Sequence, residues 1–108
     1  MIFATFKKDK RGIFAAEVSG HAGYADHGED IVCASVSSAV MLTCNGIIEI
    51  LQEKSTTSVT KDEVHLTLPP CANNAAISFL DALRLHLELL SAQYPNHIKI
   101  TVLEEYTK

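Results

Sequence analysis

The chain has no excess of positive charge: nine Lys and Arg face thirteen Asp and Glu across 108 residues, a formal net charge of −4. A dedicated nucleic-acid binder normally carries a basic footprint, so direct nucleic-acid binding is not expected. Long apolar runs are missing as well, and no segment is expected to cross a membrane. The first residues, M-I-F-A-T-F-K-K, alternate instead of setting a charged region before an apolar one. A secretory leader is therefore not expected, and a cytoplasmic location is. Repeats, linkers and biased tracts are absent, and the length leaves no room for a second core. What is present is 47% apolar against 20% charged residues, the balance of one folded domain over 1–108. Three Cys and five His are the residues on which chemistry can rest.

Periodicity predicts an α+β fold. Ile2, Ala4 and Phe6 fall on one side of an extended segment, and Phe14, Ala16 and Val18 on one side of a second. Lys7 to Gly12 reads as the hairpin between them. From Asp30, a good N-cap, a helix is predicted to about Glu53, with Val32, Val36, Ala39, Thr43, Ile47 and Ile50 in one stripe. Gly46 inside it costs about 1 kcal/mol relative to Ala. Strands at 57–61 and 63–68 follow, the second closed by Pro69 and Pro70. A second helix at 74–94 carries Ala76, Leu80, Leu83, Leu87, Leu90 and Tyr94, and a last strand covers 98–103. The order is β-β-α-β-β-α-β, a sandwich with two helices on one face of a five-stranded sheet. Leu85 and Leu89 fall outside the second stripe, either as ordinary exposed leucines or as a homodimer contact.

Chemistry concentrates in Gly20 to Ser38, G-H-A-G-Y-A-D-H-G-E-D-I-V-C-A-S-V-S-S. About ten residues without apolar period connect the second strand to the first helix, a long connection for so small a domain. Cys33 lies in the helix's first turn, where unpaired N–H groups and the dipole favour a thiolate. Glu29 and Asp30 act against that charge, unless Asp30 is engaged in capping or in orienting a histidine or the substrate backbone. Ser37, at i+4, shares the thiol's side of the helix. His21 follows the strand in a G-H-A-G turn and can take the Cys33 proton, giving the minimum equipment for nucleophilic acyl transfer.

Other readings of these residues stand beside that one. Cys33 can be a packed hydrophobe. His21, His27 and Cys33 are zinc-ligand types, but their spacing matches no compact finger and a fourth ligand is not evident. Gly20, Gly23 and Gly28 form neither a G-x-G-x-x-G nor a P-loop. No metal or cofactor is expected. Cys44, eleven positions after Cys33, lies roughly 16 Å along the helix, beyond disulfide reach, and is assigned to packing. Cys71 is expected in an exposed loop. His65 alternates with its strand's apolar face, and His86 and His97 are read as ordinary surface positions.

The two halves of the motif, G-H-A-G and G-E-D-I-V-C-A, closely resemble the signature of the ribosomal-processing cysteine proteases, the Prp family, at that family's spacing. The resemblance covers nearly the whole chain, and Ser35 stands where alanine is commoner. It implies a Cys–His dyad endopeptidase with His21 as base and Cys33 as nucleophile. Gly20, Gly23, Asp30 and Ser37 match further motif positions and are expected to shape the substrate site. It implies as substrate the N-terminal extension of large-subunit ribosomal protein twenty-seven, a basic protein, cut after a motif ending in aromatic residues. It also implies a homodimer. In that mechanism N–H groups at the helix start stabilise the oxyanion, and the loop from Ala22 to Glu29 acts as a lid. The alternatives are a non-catalytic ribosome-assembly factor and a thiol hydrolase of another acyl substrate.

Overall fold

A computed structural model describes residues 1–26 and 29–105. Two strands, β1 (Ile2–Asp9) and β2 (Gly12–Gly20), are followed by helix α1 (Ile31–Asn45), which runs on as a π-helical turn over Gly46–Ile50. Strands β3 (Thr56–Val59) and β4 (Glu63–Thr67), helix α2 (Asn74–Gln93) and strand β5 (Ile98–Glu104) complete the chain. The five strands form one sheet in the order β3-β4-β2-β1-β5. Among the described residues only β1 and β5 pair in parallel, with Ile2 opposite Ile98; the other pairs are antiparallel. The predicted α+β order and the two helices over one sheet face are thus observed.

Alternation explains which sheet face is covered. Ile2, Ala4 and Phe6 on β1, Ala16 on β2, Leu66 on β4 and Ile98 on β5 point into one core with Val32, Val36, Val40 and Ile47. From α2 the stripe Ala76, Leu80, Leu83 and Leu87 completes it, with Leu90 and Tyr94 packed at its margin. Burying side chains of this size contributes roughly 1.5–3 kcal/mol each, which offsets the ordering of a small chain.

Three local readings change. Lys7 pairs with Ala15 but Lys8 pairs with Ile13, a bulge that leaves Phe14 unpaired. The extra residue reverses the alternation, so Ile13 enters the core in place of Phe14, whose ring lies under the Arg11 guanidinium at 5.4 Å. The first helix ends at Ile50 and not Glu53, because Leu51 N–H bonds to Gly46 O at 2.9 Å, an i→i+5 bond that loosens the winding. A stripe extrapolated at α-helical pitch therefore fails at its end: Ile47 is fully buried, yet Ile50 is 78% exposed. The backbone then reverses through Gln52 at φ 54°.

Run length also misjudges this helix. Ile31–Ile50 is long and apolar enough, by length and composition, to cross a membrane. Its Val32, Val36, Val40 and Ile47 face is core packing, while Met41, Leu42 and Ile50 are exposed.

Candidate active site

The predicted site forms where the end of β2, the connection after it and the start of α1 meet. Asp30 organises this junction. One carboxylate oxygen accepts from Val32 N–H at 3.0 Å and Cys33 N–H at 2.9 Å, capping α1. The other accepts from Tyr24 N–H at 3.1 Å and Ala25 N–H at 3.4 Å, which ties the connecting loop to the helix start. Burial pushes this carboxyl up, but the donated bonds from Cys33, Tyr24, Ala25 and Val32 outweigh it and hold it below its ordinary range.

Cys33 is half-buried at the edge of the core, with Ser37 exposed one turn further on. Its sulfur accepts a hydrogen bond from Ala22 N–H at 3.2 Å. His21, the neighbouring residue, is exposed, and its Nε2 donates to Asp62 Oδ1 at 3.0 Å. With the proton on Nε2, Nδ1 is the ring nitrogen left to accept one. Asp62 sits in the β3–β4 turn, and its carbonyl also receives Gly20 N–H at 3.2 Å. The motif histidine and cysteine are thus brought to one junction, each with its own partner.

The motif glycines have distinct reasons. Gly20 has φ 89°, and a Cβ there would collide with the Met1 carbonyl. Gly23 has open space around it but φ 67°, so its constraint is conformational alone. His27 and Gly28, from the alternative metal and phosphate sets, lie outside the described residues, as does part of the expected lid.

The helix-start amides differ from expectation. Val32 and Cys33 N–H bond to the Asp30 side chain, and Ala34 N–H bonds to Asp30 O at 3.1 Å. They are engaged in capping, so an oxyanion at this site needs another donor, and Ala22 N–H already points at the sulfur.

Sequence reasoning missed Asp62 and His97. His97 is not an ordinary surface residue: its ring is part-buried, and Nδ1 donates to Ala22 O at 2.8 Å. Tyr24 stands edge-on to both the His97 and Tyr94 rings, with centroids 5.4 and 5.5 Å away. No local signal in Y-P-N-H-I marks this, because the partner lies 75 positions upstream. Among the described residues, the remaining thiols and histidines stay apart. Cys44 packs against the core, where burial pushes its thiol up, and Cys71 is exposed. His65 pairs with Glu17 at 2.9 Å on the sheet's outer face.

Comparisons with known proteins bear on the family and the fold. The family model described as cysteine protease Prp matches residues 1–99. A Bacillus subtilis (strain 168) relative named ribosomal processing cysteine protease Prp is 29% identical over 108 residues, covering 94% of this chain and 96% of the relative. A Mycoplasma genitalium relative of the same name is 32% identical over 88 residues, 75% of this chain and 80% of the relative. Among solved structures, an essential ribosomal processing protease Prp from S. aureus, in complex with a covalently linked product peptide, superposes with a TM-score of 0.88. It is 22% identical, and the match covers 94% of this chain and 99% of that one. At that identity the superposition establishes the fold. A match over residues 1–99 goes further than fold, and by it the chain belongs to the cysteine protease Prp family.

Proposed function

We propose that this chain is a cysteine endopeptidase that works through a Cys33–His21 dyad and removes the N-terminal extension of large-subunit ribosomal protein twenty-seven. The observation that carries the reading is the setting of Cys33: first turn of a capped helix, sulfur receiving Ala22 N–H, next to the loop that bears His21. Ala22 N–H is a donor aimed at the sulfur, where attack on a carbonyl would begin. The relatives' names, ribosomal processing proteases, support a ribosomal substrate, and the resemblance carried by G-H-A-G and G-E-D-I-V-C-A supports the N-terminal extension as its target.

In the proposed reaction His21 Nδ1 accepts the Cys33 proton and the sulfur attacks the scissile carbonyl, forming the S–C bond. His21 gives that proton to the leaving amine nitrogen as the C–N bond breaks. Water then attacks the thioester, releases the N-terminal product as a carboxylate and restores the thiol. This role requires the His21 ring to come within hydrogen-bond reach of the sulfur in the substrate complex. Gly20, Gly23 and Asp30 shape the loop from below, and Ser37 lines the helix face beyond the thiol. No metal or cofactor takes part.

The same reading makes the protein a cytoplasmic homodimer. Leu85 and Leu89 are 52% and 58% exposed on the solvent side of α2. A dimer would cover this face, and a concentration-independent monomer mass in sedimentation would remove that part of the proposal.

The deciding experiment is incubation with the extended ribosomal protein followed by intact mass. Loss of the extension is expected from the wild-type chain, and none from Cys33→Ala, with unchanged circular dichroism. Full cleavage by Cys33→Ala overturns the dyad; an uncleaved but bound substrate favours a non-catalytic assembly factor.

A further inference from the structure

His97 lies outside the motif and reaches the site from the far end of the chain. Its backbone is held on both sides: its N–H donates to Tyr94 O at 3.0 Å, and its carbonyl accepts Ile2 N–H at 2.8 Å. The ring is fixed too, edge-on to Tyr24 at 5.4 Å and bonded through Nδ1 to Ala22 O at 2.8 Å. A carbonyl only accepts, so Nδ1 carries the proton. Ala22 itself is 3% exposed, and its N–H donates to Cys33 Sγ at 3.2 Å. Both polar backbone groups of Ala22 are thereby engaged, one by His97 and one by the sulfur.

Ala22 sits between His21 and Gly23, whose φ of 67° is open to glycine and otherwise leaves the turn free to change shape. A loop of this kind needs an external anchor if one amide is to stay aimed at a sulfur. We propose that His97 is a positioning residue for the nucleophile: by holding the Ala22 carbonyl it aims Ala22 N–H at Cys33 Sγ. Its bond is to the Ala22 carbonyl and not to the sulfur. The N–H so aimed stabilises negative charge on the sulfur before attack. After attack it is a donor within reach of the oxyanion, where the helix-start amides are engaged by Asp30.

This rests on Cys33 being the nucleophile, and the test is built to separate the two ideas. His97→Asn retains a donor, because the Asn Nδ2 occupies nearly the place of Nδ1. His97→Phe keeps the ring against Tyr24 without the donor, and His97→Gln sets its amide one carbon too far out. Each is measured for kcat and KM on an extended substrate and for the rate of Cys33 alkylation by iodoacetamide in a Cys44→Ala, Cys71→Ala background. His97→Phe and His97→Gln are expected to lose about tenfold in kcat and in alkylation rate with KM little changed, as fits one charge-assisted hydrogen bond. His97→Asn is expected to stay near wild type. Wild-type rates in both Phe and Gln variants overturn the proposal, and so does an equal loss in all three. If one variant fails to fold, the other carries the same comparison. The alkylation rate needs no substrate, so failure of the protease reading shows as intact substrate with wild-type protein and leaves the clamp still measured.

Discussion

The carboxylate of Asp30 caps α1 with one oxygen and anchors the loop after β2 with the other. Asp30→Ala removes both, and a lost cap alone costs about 1–2 kcal/mol of stability. The pH dependence follows from the lowered carboxyl. Its contribution is complete at neutral pH and is lost as pH falls through the folded-state value, below the ordinary carboxylate range. Urea titrations should therefore show the gap between wild type and Asp30→Ala closing once pH drops below about 4. The thiols separate by environment. Cys44, pushed up by burial, should be slow to alkylate and Cys44→Ala should retain most activity, while Cys71→Ala should change little. Loss of cleavage in either variant would assign them a part in the site. His21, Cys33 and Asp30 were legible as one cluster because they sit within one short stretch of sequence. Asp62 and His97 were not, since each meets the motif through a contact 41 or 75 positions long that only the folded sheet creates.

Helix α1 changes winding at Gly46, and the reason lies across the helix interface. A Cβ at Gly46 would stand 2.9 Å from two carbons of the Phe79 ring, so glycine lets α1 and α2 approach there. Alanine would gain about 1 kcal/mol in helix propensity. Overpacking of this kind costs typically about 1–3 kcal/mol, so Gly46→Ala should be neutral to destabilising in the wild-type chain. With Phe79→Leu the ring is gone and the same change should stabilise. A double-mutant cycle on thermal melts checks this, and additivity between the two sites would refute the contact. Both helices were readable from apolar stripes, since α2 keeps one pitch from Ala76 to Leu87. The bulge at Phe14 and the π turn were not, because each inserts one residue into a regular period with no composition cue to mark it.

At the scale of the molecule, the net charge of −4 sets the approach of substrate. If the partner is a basic ribosomal protein, long-range attraction raises the encounter rate and salt screens it. kcat/KM on an extended basic peptide should fall as ionic strength rises, while kcat stays level; a salt-independent kcat/KM would show that charge plays no part. The α+β class was evident from the order of elements. The strand order was not, because it depends on β5 crossing to pair beside β1. That pairing fixes a timetable. β1 waits for β5 before its second edge is covered, and His97 arrives at the threshold of β5. A chain still emerging from the ribosome carries its cysteine long before it carries the anchor for the cysteine's amide. By this arrangement the amide that faces Cys33 gains its anchor only after synthesis has passed His97.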